Sequence, residues 1–295
     1  MLTVAAADAA AREVTLVREL VRTESVLGDR RQPDGSWEWM IEDEPGVALV
    51  RITSFGERTA AEFQAACEAV ESRLSGPDGA AGAVVIDLRG NAGGLLSAAV
   101  EVCDLLLDDG VIVSTRGRFD RAAEADGGLR DVRRATRGTV LADVPLAVLV
   151  DGLTASAAEV VAACLQDHGR AVVVGSRTFG KGTVQTIVPL SDSSGLVKLT
   201  TAEYIRPSRA NIHRRGDDGS RETWGVVPEP GCEIAPTGRQ IEAMRAWRRH
   251  RDVVATPGRP ATIDASVSRG QLPRHVDAVL AVAIDAVRIP RKAAD

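Results

Sequence analysis

Between residues 46 and 175, apolar runs of strand length alternate with segments of helical periodicity. Each strand-like run is continuous in Val, Ile, Leu and Ala rather than alternating with polar residues, as in strands that are buried on both faces. Parallel strands need crossover connections, and helices supply them. This order therefore predicts an α/β fold with a largely parallel sheet. The predicted strands lie at 46–55, 82–90, 110–118 and 145–152, and the predicted helices at 58–76, 95–110 and 156–169.

The segments around this alternation are less regular. Residues 119–138 are polar and are predicted to form a loop, whereas residues 195–205 read as a further strand. Residues 12–22 fit either a strand or a short helix. From about residue 236 onward the pattern becomes helical, with a Pro/Gly-rich joint near 256–260.

Composition and charge exclude several classes of partner. The chain has 295 residues and a net charge of −5, so no global field attracts nucleic acid or an anionic membrane. The basic run 244–251 is local and reads as a solvated helix face. No run of about 18 apolar residues occurs, so we predict no membrane span. The sequence leaves the oligomeric state open.

Cysteine and histidine usage argues against a metal site. The four cysteines (Cys67, Cys103, Cys164 and Cys232) are widely separated, and the chain has only four histidines and no H-E-x-x-H motif. Three of the cysteines lie in apolar helical patterns and are predicted to be core thiols. We therefore predict neither a metal nor a cofactor.

The stretch 175–182, "GSRTFGKG", contains most of a phosphate-binding loop, G-x-x-x-x-G-K. Such a loop continues with Ser or Thr and opens a helix, whose amides hold the phosphates. Here Gly182 follows, and the next residues are β-branched and predict a strand. The nucleotide-binding interpretation fails both conditions.

Lysine is rare in this chain, which makes Lys181 conspicuous. Only 3 of the 36 basic residues are lysines. Arginine stays charged, whereas a buried lysine can lose its proton and act as a base. An ordinary surface lysine is the favoured interpretation from this clue alone. The apolar strands around Lys181 nevertheless lead us to expect a buried amine, which favours its uncharged form.

A candidate nucleophile lies in "LTASAAE", residues 153–159, between a predicted strand and a predicted helix. Ser156 falls at the helix N-terminus, where its hydroxyl is presented at a sharp turn. The Ala157 amide is placed to donate to an oxyanion, assisted by the helix dipole. Serine is also a common N-cap with no catalytic role, and Thr154 is an equally good cap.

Several ordered motifs together resemble those of the C-terminal processing peptidases, also called tail-specific proteases. "TASAAE" is similar to the nucleophile turn of that family, "LQDHGRA" to its L-Q-D-x-x-R-A, and "GSRTFGKGTVQ" to its G-x-x-T-F-G-K-G-x-x-Q. "LRGNAGG" is close to the family's L-R-x-N-P-G-G, and "WGVVPEP" to its closing G-I-x-P-D. The resemblance covers roughly residues 46–230.

This resemblance implies the roles of individual residues. The family's nucleophile falls on Ser156, its general-base lysine on Lys181 and the glutamine that orients the lysine on Gln185. Alternation along a strand would put Lys181 and Gln185 on one face. The resemblance also implies an oxyanion site between the Ala157 amide and an amide of the 90–94 turn, with Gly93 and Gly94 as the two candidates.

The resemblance further implies a serine endopeptidase that cleaves polypeptides, on the superhelical α/β fold shared with the Clp protease and crotonase groups. A catalytically weak peptide-binding or regulatory module is the rival interpretation. Ala92 replaces the proline of the family's N-P-G-G turn, and residues 214–223 form an insertion.

Three regions are expected along the chain. Residues 1–45 are expected to be a linker with a remnant of the last strand of a peptide-binding PDZ domain, which precedes the core in the family. Residues 46–235 are the expected catalytic core, and residues 236–295 a helical extension. The first residues make a poor signal peptide, so localisation stays open. The resemblance implies a periplasmic or exported protein if the chain is a fragment.

Overall fold

The structure is a computed structural model of the chain. It describes residues 2–5, 10–19, 23–75, 82–117, 129–136, 138–191, 194–214, 224–254 and 277–288. The Pro/Gly-rich joint near 256–260 and most of the 214–223 insertion lie outside the described residues.

A five-stranded sheet forms the centre of the molecule, in the order β11-β10-β7-β6-β3. Four of its strands pair in parallel, and the short β3 pairs antiparallel with β6 at one edge. The α/β alternation predicted from the sequence is thereby confirmed. These strands are β3 (Val26–Leu27), β6 (Val47–Ile52), β7 (Ala83–Asp87), β10 (Leu146–Val150) and β11 (Ala171–Gly175).

Side chains from the two faces of this sheet enter two separate apolar clusters. Along β6, Ala48, Val50 and Ile52 join the larger cluster, whereas Val47 and Leu49 join the smaller one. Because both faces are covered, the strands read as continuous apolar runs. The larger cluster is completed by α1 (Thr59–Leu74), α2 (Leu96–Asp104) and α3 (Ala157–Asp167), and the smaller one by α5 (Ala278–Arg288).

Cys67, Cys103 and Cys164 lie fully buried in α1, α2 and α3, as predicted for core thiols. The helix predicted over 95–110 is too long, because α2 ends at Asp104. Leu106 and Leu107 are buried beyond that helix end, so their apolar side chains pack in the core without being helical.

A second, antiparallel sheet has the order β12-β13-β8-β9. The loop predicted over 119–138 is wrong for Leu129–Arg134, which form an edge strand, and residues 118–128 are not described. Five of its six residues are exposed, so this strand carries no apolar pattern to reveal it. The strands are β8 (Val111–Gly117), β9 (Leu129–Arg134), β12 (Thr183–Pro189) and β13 (Leu196–Ile205).

Two small antiparallel strand pairs lie in the N-terminal part of the chain, one before β3 and one between β3 and β6. In the segment 12–22 only three residues are described as a strand, so a relationship to a PDZ domain stays a prediction. The strands are β1 (Leu2–Val4) paired with β2 (Arg12–Val14), and β4 (Arg30–Arg31) paired with β5 (Trp37–Glu38).

Helix α5 packs on the second face of the central sheet, and Arg89 donates to Asp277 at 2.8 Å just before α5. Helix α4 spans Gly238–Arg251. Arg248 of α4 pairs with Asp29 at 3.1 Å. None of the helices in the described residues is long and apolar enough to cross a membrane.

Candidate active site

Strand β10 ends at Val150, and helix α3 begins at Ala157, so six residues form the turn between them. Thr154 in this turn is completely buried. Its hydroxyl donates to the Leu88 carbonyl at 2.9 Å and accepts from the Asp151 amide at 2.9 Å. The Thr154 hydroxyl is therefore fully engaged within the turn.

Ser156 occupies the last position of the turn in a strained conformation. Its φ of 58° and ψ of −119° lie in a region that residues with a Cβ rarely adopt. Its hydroxyl, partly exposed, lies in the capping-box position beside the Glu159 amide, but that amide donates to the Ser156 carbonyl at 2.9 Å and makes no capping hydrogen bond to the hydroxyl. The hydroxyl is therefore not spent on capping the helix.

The Ala157 amide is the first of α3 and has no acceptor among the described residues. An amide at this position carries the partial positive charge of the helix N-terminus. Next to the Ser156 hydroxyl, it can donate to an oxygen that develops negative charge when the hydroxyl attacks.

The glycine turn at 90–94 packs directly on the serine turn. A Cβ at Gly93 (φ 98°) would lie 2.7 Å from the Ala155 carbonyl oxygen and 2.8 Å from Ser156 Cβ. The Gly93 amide donates to Asn91 Oδ1 at 2.8 Å, whereas the Gly94 amide is exposed and has no acceptor among the described residues. Glycine at 93 thus permits the close approach of the two turns.

Lys181 lies in the loop 176–182 between β11 and β12, and its side chain is exposed. The expectation that Lys181 is buried is wrong, because β12 and the facing part of β13 are themselves exposed. No hydrogen bond joins the Lys181 amine to the Ser156 hydroxyl in the described part of the chain. The backbone of Lys181 is nevertheless tied to the serine turn through a carboxylate.

That carboxylate belongs to Glu159, in the first turn of α3, which is completely buried. It accepts the Ser156 amide at 2.9 Å and the Lys181 amide at 2.8 Å on the same oxygen. Burial raises the pKa of Glu159 above its usual value, although the hydrogen bonds that it accepts oppose that shift. We did not select Glu159 from the sequence, where the S-x-x-E spacing from Ser156 was its only signal.

Gln185 lies on β12, where its side chain is exposed and donates to Thr200 Oγ1 at 2.7 Å. The alternation expected between Lys181 and Gln185 does not hold. Lys181 precedes the strand, which begins at Thr183, and the register shifts between Val184 and Gln185. Among the described residues no hydrogen bond joins the Gln185 amide to Lys181, so the role of Gln185 remains a prediction.

The phosphate-binding interpretation of residues 175–182 finds no support in the local structure. Gly175 ends strand β11, and β12 rather than a helix follows Lys181. A Cβ at Gly180 would lie 2.7 Å from the Trp224 ring, so this glycine accommodates an aromatic side chain. Among the described residues, no group of three His, Cys, Asp or Glu side chains is arranged to hold a metal ion.

A sequence profile described as peptidase family S41 matches residues 46–219, more than half of the chain. The chain belongs to peptidase family S41. The matched stretch contains the glycine turn at 90–94, the serine turn and Lys181. It thus includes all the candidate site residues identified from the sequence.

Proteins related to this S41 chain are C-terminal processing proteases by name. The carboxy-terminal-processing protease of Bartonella bacilliformis is 37% identical over 206 residues, which cover 69% of this chain and 42% of that protein. The chloroplastic C-terminal processing peptidase of Tetradesmus obliquus is 40% identical over 177 residues, with coverages of 58% and 35%. The chain thus spans about two fifths of the length of these curated relatives.

A solved structure shares the fold of this S41 chain. The photosystem II D1 C-terminal processing protease superposes with a TM-score of 0.56 at 32% identity, covering 77% of this chain and 52% of that one. The α/β architecture is therefore common to both proteins.

Proposed function

We propose that this chain is the catalytic core of a serine endopeptidase that cleaves polypeptides through an acyl-enzyme on Ser156, with Lys181 as general base. The serine turn carries the proposal: a strained Ser156 presents an unbonded hydroxyl beside an Ala157 amide that has no acceptor among the described residues. Membership of family S41 supports a peptidase. The names of the relatives favour C-terminal processing as the reaction.

In the proposed acylation step, the Ser156 hydroxyl oxygen forms a bond to the peptide carbonyl carbon, and its proton passes to the neutral amine of Lys181. The carbonyl oxygen becomes an oxyanion that accepts a hydrogen bond from the Ala157 amide. We assign the second donor to Gly94 rather than Gly93, because the Gly93 amide already donates to Asn91.

The carbon–nitrogen bond then breaks, and the leaving amine takes the proton from Lys181. Water attacks the resulting ester in the deacylation step, with Lys181 again accepting a proton, and Ser156 is regenerated. This cycle requires a neutral amine at Lys181. Because Lys181 is exposed in this structure, we infer that a polypeptide lying across the 176–182 loop excludes water from it. Gln185 then orients the amine.

The domain limits remain part of this proposal. Residues 46–235 form the catalytic core of a fold of the Clp protease and crotonase type, and residues 1–45 include a remnant of the last PDZ strand. Residues 236–295 form an extension, whose helix α5 covers one face of the central sheet.

The test is cleavage of a denatured protein and of fluorogenic peptides by the whole chain and by two matched variants. Ser156→Ala is expected to lower kcat by about 10⁶-fold. Thr154→Ser, which keeps the engaged hydroxyl, is expected to stay within a few-fold of the parent. Turnover retained in purified Ser156→Ala would contradict the proposal. A folded parent chain that binds peptides without cleaving them would support the regulatory alternative.

A further inference from the structure

The carboxylate of Glu159 accepts four hydrogen bonds while being completely inaccessible to solvent. Its Oε2 accepts the amides of Ser156 at 2.9 Å and Lys181 at 2.8 Å. Its Oε1 accepts the Thr178 hydroxyl at 2.5 Å and the Gly180 amide at 2.6 Å. Each oxygen therefore has two donors. Those of Oε2 come from the serine turn and from the 176–182 loop, and those of Oε1 both come from the loop.

The donor pattern identifies the ionised form of the side chain. Both amides on Oε2 and the amide on Oε1 can only donate. The Thr178 hydroxyl accepts from the Val226 amide at 2.8 Å, so its own hydrogen is directed at Glu159. Three amide donors on two oxygens favour the charged carboxylate although burial raises its pKa, and short bonds of this kind are typical of a charged acceptor.

These contacts join two segments that are far apart in sequence. Ser156 ends the turn after β10, and Thr178 to Lys181 lie in the loop between β11 and β12, which has no regular secondary structure. One backbone bond also links them, from the Phe179 amide to the Thr154 carbonyl at 2.9 Å. The Glu159 side chain reaches the proposed nucleophile and base residues themselves.

We propose that Glu159 is a positioning residue, which holds the backbones of Ser156 and Lys181 in the relative placement that catalysis needs. This inference rests on the proposed peptidase function. Glu159 bonds to the two amides and not to the Ser156 hydroxyl or the Lys181 amine, so it acts through these residues. Its bond to the Ser156 amide also stabilises the strained φ of that residue.

The principal test is Glu159→Gln in the whole chain. Glutamine has the same shape, but its NH2 group replaces one oxygen and faces two donors, so two of the four hydrogen bonds are lost. Displacements of about 1 Å at a catalytic group can lower a rate by about 100-fold. We expect kcat to fall by about that factor, with KM within about threefold of the parent.

Glu62→Gln is the matched control. Glu62 on α1 accepts the Ser25 amide at 2.8 Å, the Ser25 hydroxyl at 2.8 Å and the Val26 amide at 3.3 Å, all on Oε2. Because the glutamine oxygen can take that place, Glu62→Gln keeps these hydrogen bonds and reports the loss of a carboxylate charge alone. A purely structural effect of Glu159→Gln would lower its melting temperature and leave its kcat per folded molecule equal to that of Glu62→Gln. A kcat in Glu159→Gln within threefold of that in Glu62→Gln would overturn the inference.

Thr178 offers a conservative rescue. Thr178→Val removes the hydroxyl that Glu159 accepts, whereas Thr178→Ser keeps it. We expect about a tenfold loss of kcat for valine and near-parental kcat for serine. Equal activity in these two variants would show that the hydroxyl contributes nothing to positioning.

Amide hydrogen exchange separates this inference from the proposed function. In Glu159→Gln, the amides of Gly180 and Lys181 should exchange at least about tenfold faster than in the parent, while the amides of Ser25 and Val26 stay unchanged. This readout does not need catalysis. If the parent chain is folded but inactive, the proposed function fails, and the exchange rates alone decide. Unchanged protection at Gly180 and Lys181 would overturn the positioning role.

Discussion

The two halves of the candidate site lie in opposite surroundings. The serine side, residues 151–159, lies at the carboxyl end of a buried parallel strand and is fixed by hydrogen bonds with Leu88 and Gly90 of the neighbouring segment. The lysine side, residues 176–189, leads into an exposed antiparallel hairpin with Ile187 60% exposed. The contrast teaches that the nucleophile is placed by the core, whereas the environment of the base depends on what covers it.

After Ser156→Ala, the largest effect should come from the exposed half. Lys181→Arg keeps the charge but removes the neutral amine, so we expect kcat/KM to fall by about 10²–10⁴-fold, as much as in Lys181→Ala. In the parent, kcat/KM should rise with pH, because a protonated amine accepts no proton. The kcat/KM of the parent and of Lys181→Arg for one peptide, measured between about pH 5 and 10, tests both expectations.

Substantial activity in Lys181→Arg would exclude Lys181 as the general base and would remove the basis for the contrast between the two halves. Lys198→Arg is the matched control. Lys198 is another exposed lysine, on β13, and we expect its replacement to leave kcat/KM within about twofold.

On the buried half, Gly93→Ala places a Cβ against the serine turn, 2.8 Å from Ser156 Cβ. We expect kcat/KM to fall by about 100-fold through displacement of the nucleophile. Gly90 has a similar positive φ of 72°, but a Cβ added there would meet no atom within 4 Å. Gly90→Ala therefore reports the effect of backbone strain alone. Equal kinetics in the two variants would mean that close contact between the turns does not position Ser156.

Sequence patterns predicted the local structure of the serine side, a strand, a turn with Ser156 and a helix, because its requirements are local. A glycine turn that must approach another turn, and a serine between strand and helix, are recognisable from short motifs. Between residues 46 and 175, the predicted strands agree with the structure wherever both faces of a strand are buried. The apolar residues of the exposed hairpin gave a misleading signal for Lys181, since they indicated burial that the fold does not supply.

Other failures have a similar physical origin. The polar strand Leu129–Arg134 is held by edge pairing, which leaves no periodicity in the sequence. The bulge between Val184 and Gln185 breaks the alternation on which the Gln185 prediction depended. Glu159 was missed because three of its four hydrogen-bond donors come from a loop about twenty residues away, which only the folded chain brings close to it.

Arg206 links helix α3, which begins in the serine side, to the end of β13, which pairs with β12 of the lysine side. It follows β13 and donates to Asp167 at the end of α3, at 2.9 and 2.6 Å. Burial raises the pKa of Asp167, but the hydrogen bonds and charge of Arg206 outweigh it and hold the pKa below the usual value. We expect Arg206→Gln to lower the free energy of unfolding by about 1–3 kcal/mol at pH 7.

The sign of the pH dependence follows from that lowered pKa. The stabilisation is present above the unfolded-state pKa of Asp, about 3.9, and is lost as pH falls through the folded-state pKa. The free energies of unfolding of the parent and of Arg206→Gln, measured with urea, should therefore begin to converge below about pH 4 and meet below the folded-state pKa of Asp167. A difference between them that stays constant down to about pH 3 would contradict the ion-pair explanation.

The smallest effect concerns the strain of the serine turn. Glycine adopts a positive φ without the Cβ penalty, so Ser156→Gly should be more stable than Ser156→Ala by about 1 kcal/mol. At the exposed helix position Ser97 the order should reverse, with alanine more stable by about 1 kcal/mol. Equilibrium urea unfolding of the four variants checks both rankings. Alanine more stable than glycine at both positions would remove the case for strain at Ser156.

The central claim, that Ser156 is the nucleophile, is tested most directly by covalent labelling. A fluorophosphonate probe phosphonylates activated serine hydroxyls, and peptide mapping by mass spectrometry locates the modified residue. We predict a single adduct on Ser156 in the parent, no adduct in Ser156→Ala and much slower labelling in Lys181→Arg. An adduct on another serine, or a folded and proteolytically active parent that remains unlabelled at Ser156, would contradict the account.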